Sequence, residues 1–141
     1  MNTLAELDAY YFATPQLVAE DLASLKEQGF ERVINNRPEG EADDQPVGDE
    51  LRAAAEALGL EYIANPIDLP KLSQVQIDQQ GNAIAEQKKT VAFCRTGTRS
   101  TVLWVLLENA KGGNIDTLSA YAAAKGFDLT RCEPAMAPWL K

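Results

Sequence analysis

Apolar positions along the chain alternate between short continuous runs and helix-like spacings. Thr14 can cap a helix whose first position is Pro15, and apolar residues then recur at three- and four-residue intervals until Gly29 ends it. The apolar run 30–35 is typical of a buried strand, and the segment 36–46 after it is a polar loop. This pattern predicts a helix, then a strand, then a loop at the carboxyl end of that strand.

The same order recurs in the middle of the chain. A second helix is predicted over 47–58 and a second strand over 60–65. The polar loop 66–70 follows that strand, and a further helix is predicted over 73–87. A loop therefore leaves the carboxyl end of this strand as well.

The last third of the chain begins with the apolar strand 90–93, which has the length and composition of a central strand. A strongly apolar helix is predicted over 100–110. Asn114 can cap another helix that ends at Gly126, and Asp128 can open a short final one.

Strands separated by helices predict an α/β fold with parallel pairing and right-handed crossovers. We expect one domain, residues 1–141, with a parallel central sheet and helices on both faces. The segment 10–12 is a short extended stretch before the first helix. Ligands of such sheets bind at the carboxyl ends of the strands.

Composition agrees with a globular domain, since 45% of residues are apolar and 24% are charged. The longest apolar stretch, 101–107, is too short to cross a bilayer, and residues 1–6 lack the pattern of a secretory signal. We therefore expect a cytoplasmic protein without a membrane-spanning segment. The sequence leaves the oligomeric state open.

Charge and missing residue types exclude several classes of function. A net charge of −8 argues against a nucleic-acid partner, and a protein of this charge needs local positive charge to bind an anion. The chain has no histidine, which removes serine–histidine and cysteine–histidine pairs and histidine metal sites. Its two cysteines, Cys94 and Cys132, are expected to be free thiols, with Cys132 buried.

The segment with the strongest chemical pattern follows the central strand. We call it the anion loop: Cys94-Arg95-Thr96-Gly97-Thr98-Arg99-Ser100. Backbone N–H groups at the start of a helix bind anions and stabilise a thiolate, so Cys94 can act as a nucleophile without histidine. Gly97 permits the turn, and Arg99 offers a planar fork for two oxygens of an oxyanion.

The remaining residues of the anion loop are candidate substrate-binding groups. Hydroxyls of Thr96, Thr98 and Ser100 can donate hydrogen bonds to the loop or to a leaving thiolate. Arg95 can contact the substrate or point to solvent. The alternative for Cys94 is an inert role, in which it packs as a small apolar residue at the end of the strand.

Three stretches together carry a family resemblance: the anion loop, Val33-Ile34-Asn35-Asn36-Arg37-Pro38-Glu39-Gly40-Glu41, and Ala54-Ala55-Glu56-Ala57-Leu58-Gly59-Leu60. They resemble the bacterial protein-tyrosine-phosphatase-like family found as the phosphatase-like domain of beta-lactamase hydrolase-like proteins, which is similar to dual-specificity phosphatases. The resemblance implies hydrolysis of phosphate monoesters, phosphotyrosine included, through a phosphocysteine intermediate at Cys94. It also implies a parallel central sheet of about four strands flanked by helices, and an enzyme that uses no metal and no cofactor.

Two features depart from that pattern and keep other functions open. Four residues separate Cys94 from Arg99, where phosphatases of this class have five, and Phe93 stands where a histidine usually precedes the nucleophile. The shorter spacing is typical of rhodanese-like sulfurtransferases, whose cysteine carries a persulfide. A sulfurtransferase and a non-catalytic anion-binding module are therefore the alternatives.

Ester cleavage also needs a general acid on a loop at the same sheet edge. Asp68 is the candidate because it follows the strand 60–65, and Asp43 and Asp44 are the competing acids. Asn36 and Arg37 lie on the same loop as those two acids and are predicted to line the rim of the substrate pocket.

Overall fold

The computed structural model describes residues 3–141, which form an α/β fold around one five-stranded sheet. The strands are four residues each: β1 Ala5–Asp8, β2 Tyr11–Thr14, β3 Arg32–Asn35, β4 Glu61–Ala64 and β5 Thr90–Phe93. The helices are α1 Ala19–Glu27, α2 Gly48–Ala57, α3 Gln74–Ile84, α4 Thr98–Ala110, α5 Ile115–Ala124 and α6 Glu133–Met136.

The sheet has the strand order β1-β2-β5-β3-β4, with β5 at its centre. Strands β2, β5, β3 and β4 are parallel, which confirms the predicted four-stranded parallel sheet. Strand β1 adds an antiparallel edge that the sequence did not predict. Because β2, β3, β4 and β5 are parallel, their carboxyl ends and the loops that follow them meet at one edge.

Alternating side chains of the central strands divide the interior into two apolar clusters. Val91 and Phe93 of β5 pack with residues of α1 and α2 on one face. Ala92, between them in the chain, packs with residues of α3, α4 and α5 on the other. Helices therefore cover both faces, as the parallel pairing requires.

The first helix begins later than predicted, at Ala19 and not at Pro15. Thr14 is fully buried as the last residue of β2, where it pairs with Phe93, so it is not available as a cap. The chain continues extended beyond it, and the backbone N–H of Gln16 donates to the carbonyl of Arg95 at 3.3 Å. At the true start of α1, the N–H of Val18 donates to the Asp21 carboxylate at 2.9 Å.

Other predicted boundaries agree with the structure within a few residues. Asn114 caps α5 as expected, since its side-chain oxygen accepts from the Thr117 N–H at 3.0 Å. Asp128 likewise accepts from the N–H of Thr130 at 3.0 Å and opens a 3-10 turn, Thr130–Cys132, that leads into α6. The C-terminal segment thereby reaches the sheet edge that carries the anion loop.

Candidate active site

Cys94 lies at the carboxyl end of the central strand, immediately after Phe93 of β5. Its side chain is buried, with 1% of the residue exposed, and its Sγ accepts a hydrogen bond from the backbone N–H of Gly97 at 3.1 Å. Helix α4 begins at Thr98, so the positive end of its dipole is directed at the same sulfur. This geometry stabilises negative charge on Cys94.

Gly97 is required at its position for two separate reasons. Its φ angle is +92°, in the left-handed region that favours glycine. A Cβ there would lie 2.9 Å from Cε1 of Phe127 and 3.2 Å from the backbone carbonyl carbon of Thr14. The tight turn of the anion loop therefore depends on a residue without a side chain.

Arg99 is held by a carboxylate from a different loop. Its Nη1 donates to Oε2 of Glu41 at 2.7 Å and its Nη2 donates to Oε1 at 2.8 Å, a two-point ion pair. Nη1 also donates to the carbonyl of Ile67 at 3.0 Å. The pair with Glu41 raises the pKa of Arg99, and Arg99 is the main cause that lowers the pKa of Glu41 to about 2.

Arg37 lies beside this pair and is buried. Its Nε donates to Oε1 of Glu41 at 2.9 Å and its Nη1 donates to Oε1 of Gln16 at 3.0 Å. Glu41 thus receives hydrogen bonds from two guanidinium groups. The two arginines and one glutamate together carry one net positive charge, in a protein whose net charge is −8. The predicted position of Arg37 near the anion loop agrees with these contacts.

Glu41 was not among the residues predicted from sequence. It lies in the loop after β3, where the side-chain oxygen of Gln45 accepts from the N–H groups of Glu41 and Ala42 at 2.9 and 3.3 Å. The amide of Gln45 in turn donates to the carbonyl of Pro38 at 2.8 Å. The available signal was an acidic residue four positions after Arg37, in a loop predicted to meet the anion loop at one sheet edge.

Ser100 and Asn36, both predicted to contact substrate, bind each other in the structure, and their contact with substrate stays a prediction. Both residues are completely buried, and the Ser100 hydroxyl donates to Oδ1 of Asn36 at 2.8 Å. This bond directs the hydroxyl proton of Ser100 toward Asn36. Their role in the structure is to connect α4 with the chain after β3.

A network of buried polar side chains lies behind the anion loop. Gln80 of α3 donates to Oδ1 of Asn36 at 3.1 Å and to the Tyr11 hydroxyl at 3.0 Å, and it accepts from Asn36 at 2.9 Å. Tyr11 donates to the carbonyl of Ser100 at 2.7 Å, and Asn65 donates to Gln80 at 2.9 Å. Burial raises the pKa of Tyr11, so it stays a neutral donor. The network positions the first turn of α4.

The outer residues of the anion loop are open to solvent. Thr96 donates from its hydroxyl to that of Thr98 at 2.9 Å, which ties the loop to the start of α4. Arg95 is exposed, and its guanidinium forms no hydrogen bond or ion pair with any residue in 3–141. Arg95 is therefore free to meet an anion that approaches the loop.

Three acidic residues were predicted as alternatives for the general acid, and the structure leaves all three exposed. Asp68 follows Ile67, whose carbonyl accepts from Arg99, so it lies on the segment that contacts the anion loop. Asp43 and Asp44 follow Glu41 in the other loop. All three lie on loops at the sheet edge that carries Cys94.

Both cysteines are free, as predicted, and both are buried, as predicted for Cys132. Burial is the largest cause that raises the pKa of Cys132, with smaller contributions from Asp128 and Cys94. Among residues 3–141, no group of three or more acidic or cysteine side chains is arranged to hold a metal ion. Within the same residues, no helix has the length and apolar character needed to span a membrane.

Comparison with known proteins places this fold and loop in a family. Residues 4–111 match the family described as the phosphatase-like domain of beta-lactamase hydrolase-like protein. A beta-lactamase hydrolase-like protein of Agrobacterium fabrum is 36% identical over 117 residues, which cover 81% of this chain but 27% of the relative. The chain thus spans only a minor part of that relative's length.

Solved structures share the same architecture. A candidate phosphatase of Neisseria meningitidis superposes with a TM-score of 0.82 at 26% identity, over 93% of this chain and 96% of that one. The P. aeruginosa protein TpbA superposes with a TM-score of 0.71 at 13% identity, over 99% and 86% of the two chains, and it has also been crystallised with phosphotyrosine. The chain belongs to the phosphatase-like domain family of beta-lactamase hydrolase-like proteins.

Proposed function

We propose that this chain is a cysteine-dependent hydrolase of phosphate monoesters, phosphotyrosine among them. The observation that carries the proposal is the 3.1 Å hydrogen bond from the Gly97 N–H to Sγ of Cys94, at the start of a helix whose first turn contains Arg99. Family membership and the phosphotyrosine bound by the structurally similar TpbA support the same chemistry.

The proposed first step is attack of the Cys94 thiolate on phosphorus. The S–P bond forms as the bond from phosphorus to the ester oxygen breaks, and Arg99 and the loop N–H groups bind the three remaining oxygens. Asp68 gives its proton to the leaving oxygen. In the second step Asp68 accepts a proton from water, which attacks phosphorus and releases Cys94 and inorganic phosphate.

The choice of acid follows from the charges around the loop. Glu41 is the carboxylate in closest contact with Arg99, but its pKa of about 2 keeps it ionised at neutral pH, so it has no proton to give. Asp68 has no side-chain ion pair within 3–141 and adjoins the residue that contacts Arg99. We therefore assign the proton donor to Asp68, whose segment contacts the anion loop and which no arginine binds, rather than to Glu41.

Sulfur transfer is the second candidate, favoured by one specific observation. Only four residues separate Cys94 from Arg99, and two N–H groups of Arg99 already bind Glu41. In this reaction Cys94 attacks the outer sulfur of thiosulfate, the S–S bond breaks, and sulfite leaves. The persulfide on Cys94 then passes its sulfur to a nucleophile such as cyanide, which yields thiocyanate and restores the thiolate.

A paired assay separates the candidates. Wild type, Cys94→Ser and Cys132→Ser are each given 4-nitrophenyl phosphate in one series and thiosulfate with cyanide in the other. Phosphate release by wild type and Cys132→Ser, with none by Cys94→Ser, is the result expected for the proposed hydrolase. Thiocyanate without phosphate release would replace it with sulfur transfer, and no product in either series would indicate a binding module.

A further inference from the structure

A groove of about 470 Å³ lies next to the segment that carries Asp68. One wall is the 3-10 turn Leu69–Lys71, which directly follows Asp68, and the other is α6, which packs against that turn. Its lining residues are Leu69, Pro70, Arg131, Pro134 and Ala135.

Both walls of this groove are connected to the anion loop by direct contacts. Ile67, two residues before Leu69, accepts a hydrogen bond from Arg99 at 3.0 Å. Phe127, which leads into the Arg131 wall, places its ring where a Cβ on Gly97 would lie. The groove therefore adjoins Asp68 and lies between two segments that each contact the anion loop within a few residues of it.

The groove combines apolar walls with one available cation. Arg131 is exposed and forms no hydrogen bond or salt bridge with any residue in 3–141, and the acidic group that its charge acts on is Asp128. Among the other arginines near the sheet, Arg37 and Arg99 bind Glu41, and Arg32 donates to Glu86 and Thr90, whereas Arg95 of the anion loop is unpaired as well. In a chain of net charge −8, a free guanidinium beside an apolar groove is a site for an anion attached to an apolar group.

We propose that this groove selects the substrate: an aryl phosphate whose organic part carries a second acidic group, such as phosphotyrosine next to acidic residues. The ring packs against the leucine and proline walls, and Arg131 binds the second anion as a specificity-determining residue. The groove volume falls within the usual range for sites that hold small ligands. The inference rests on the proposed hydrolysis of phosphate esters and names its substrate class.

The test measures binding separately from turnover. Calorimetry on the Cys94→Ser variant compares two phosphotyrosine pentapeptides, one with glutamate at every flanking position and one with glutamine. We expect the acidic peptide to bind about fivefold tighter at low salt, the upper range for one exposed ion pair. When Arg131→Gln is combined with Cys94→Ser, the preference for the acidic peptide should be lost. Adding Arg52→Gln, which removes the same charge from a side chain stacked on Tyr62, should preserve it.

Equal affinities, a preference that survives Arg131→Gln, or no binding of either peptide would overturn the inference. Wild-type protein is then assayed for phosphate release from both peptides. An Arg131-dependent binding preference without release would refute the proposed hydrolysis while the groove assignment stands. Release from both peptides at equal kcat/KM, with equal affinities, would refute the groove assignment alone.

Discussion

Glu41 and Arg99 lie opposite each other across the site, with both carboxylate oxygens within 2.8 Å of guanidinium nitrogens. The pair connects the loop after β3 with the first turn of α4, two segments that are distant in the chain. Arg99 also donates to the Ile67 carbonyl, so the loop after β4 joins the same contact. One guanidinium thus holds three segments in fixed relation to Cys94.

Replacing Glu41 with glutamine should lower kcat/KM for an aryl phosphate about tenfold. The amide keeps the size of the side chain but removes the charge that orients Arg99 and Arg37, and small errors in position are costly in catalysis. Steady-state kinetics on purified variants measure the effect. Glu56→Gln, on the exposed face of α2, is the control and should behave as wild type. A rise in activity would show that Glu41 competes with substrate for Arg99.

The same carboxylate should make stability depend on pH in a defined window. Its pKa is lowered in the folded state from 4.5 to about 2, so its contribution is complete above pH 4.5 and is lost as the pH falls toward 2. Wild type should exceed Glu41→Gln by about 1 kcal/mol in free energy of unfolding at pH 7. Urea titrations at pH 7, 4 and 3 should show this difference shrinking, and a constant difference would contradict the assignment.

Asp68→Asn should separate ester hydrolysis from sulfur transfer. Without a proton donor, hydrolysis of phenyl phosphate should fall about 100-fold, and that of 4-nitrophenyl phosphate should fall less because its leaving group needs less protonation. Thiocyanate formation, if present, should be unaffected. Asp43→Asn and Asp44→Asn are the matched controls, and a comparable loss in either would move the acid to the loop after β3.

Gly97→Ala should destabilise the fold more than Gly112→Ala. Both glycines have positive φ angles, +92° and +108°, and a non-glycine residue there costs about 1 kcal/mol or more. Only at Gly97 does the added methyl meet Phe127 and the Thr14 backbone, which adds about 1–3 kcal/mol. The difference between the free energies of unfolding of the two variants, measured in urea, gives the cost of the contact with Phe127 and Thr14. Equal losses would mean that Phe127 moves aside without penalty.

The sheet core and the anion loop could be predicted because their signals are local. Four buried residues in β5, a glycine that turns the chain and an apolar helix after it follow one another without interruption. The position of Asp68 followed from parallel topology, since strands of one direction end at one edge. These predictions needed no knowledge of side-chain contacts between distant segments.

Other features depend on contacts that no local pattern records. The edge strand β1 is four residues long and is defined only by pairing with β2. The burial of Asn36 depends on Gln80 and Ser100, which come from two different helices. Glu41 gains its role from a loop conformation held by Gln45, and hydrophobic periodicity says nothing about such loops.

The central position of β5 in the sheet also affects how the domain folds during its synthesis. It is the last of the five strands of this sheet in chain order, yet it lies between β2 and β3 and supplies the backbone partners of both. During synthesis those two strands present unpaired edges, the kind of surface through which chains aggregate. A nascent chain that stops before Thr90 therefore has neither a continuous sheet nor Cys94, and folding of the domain coincides with the assembly of the anion loop.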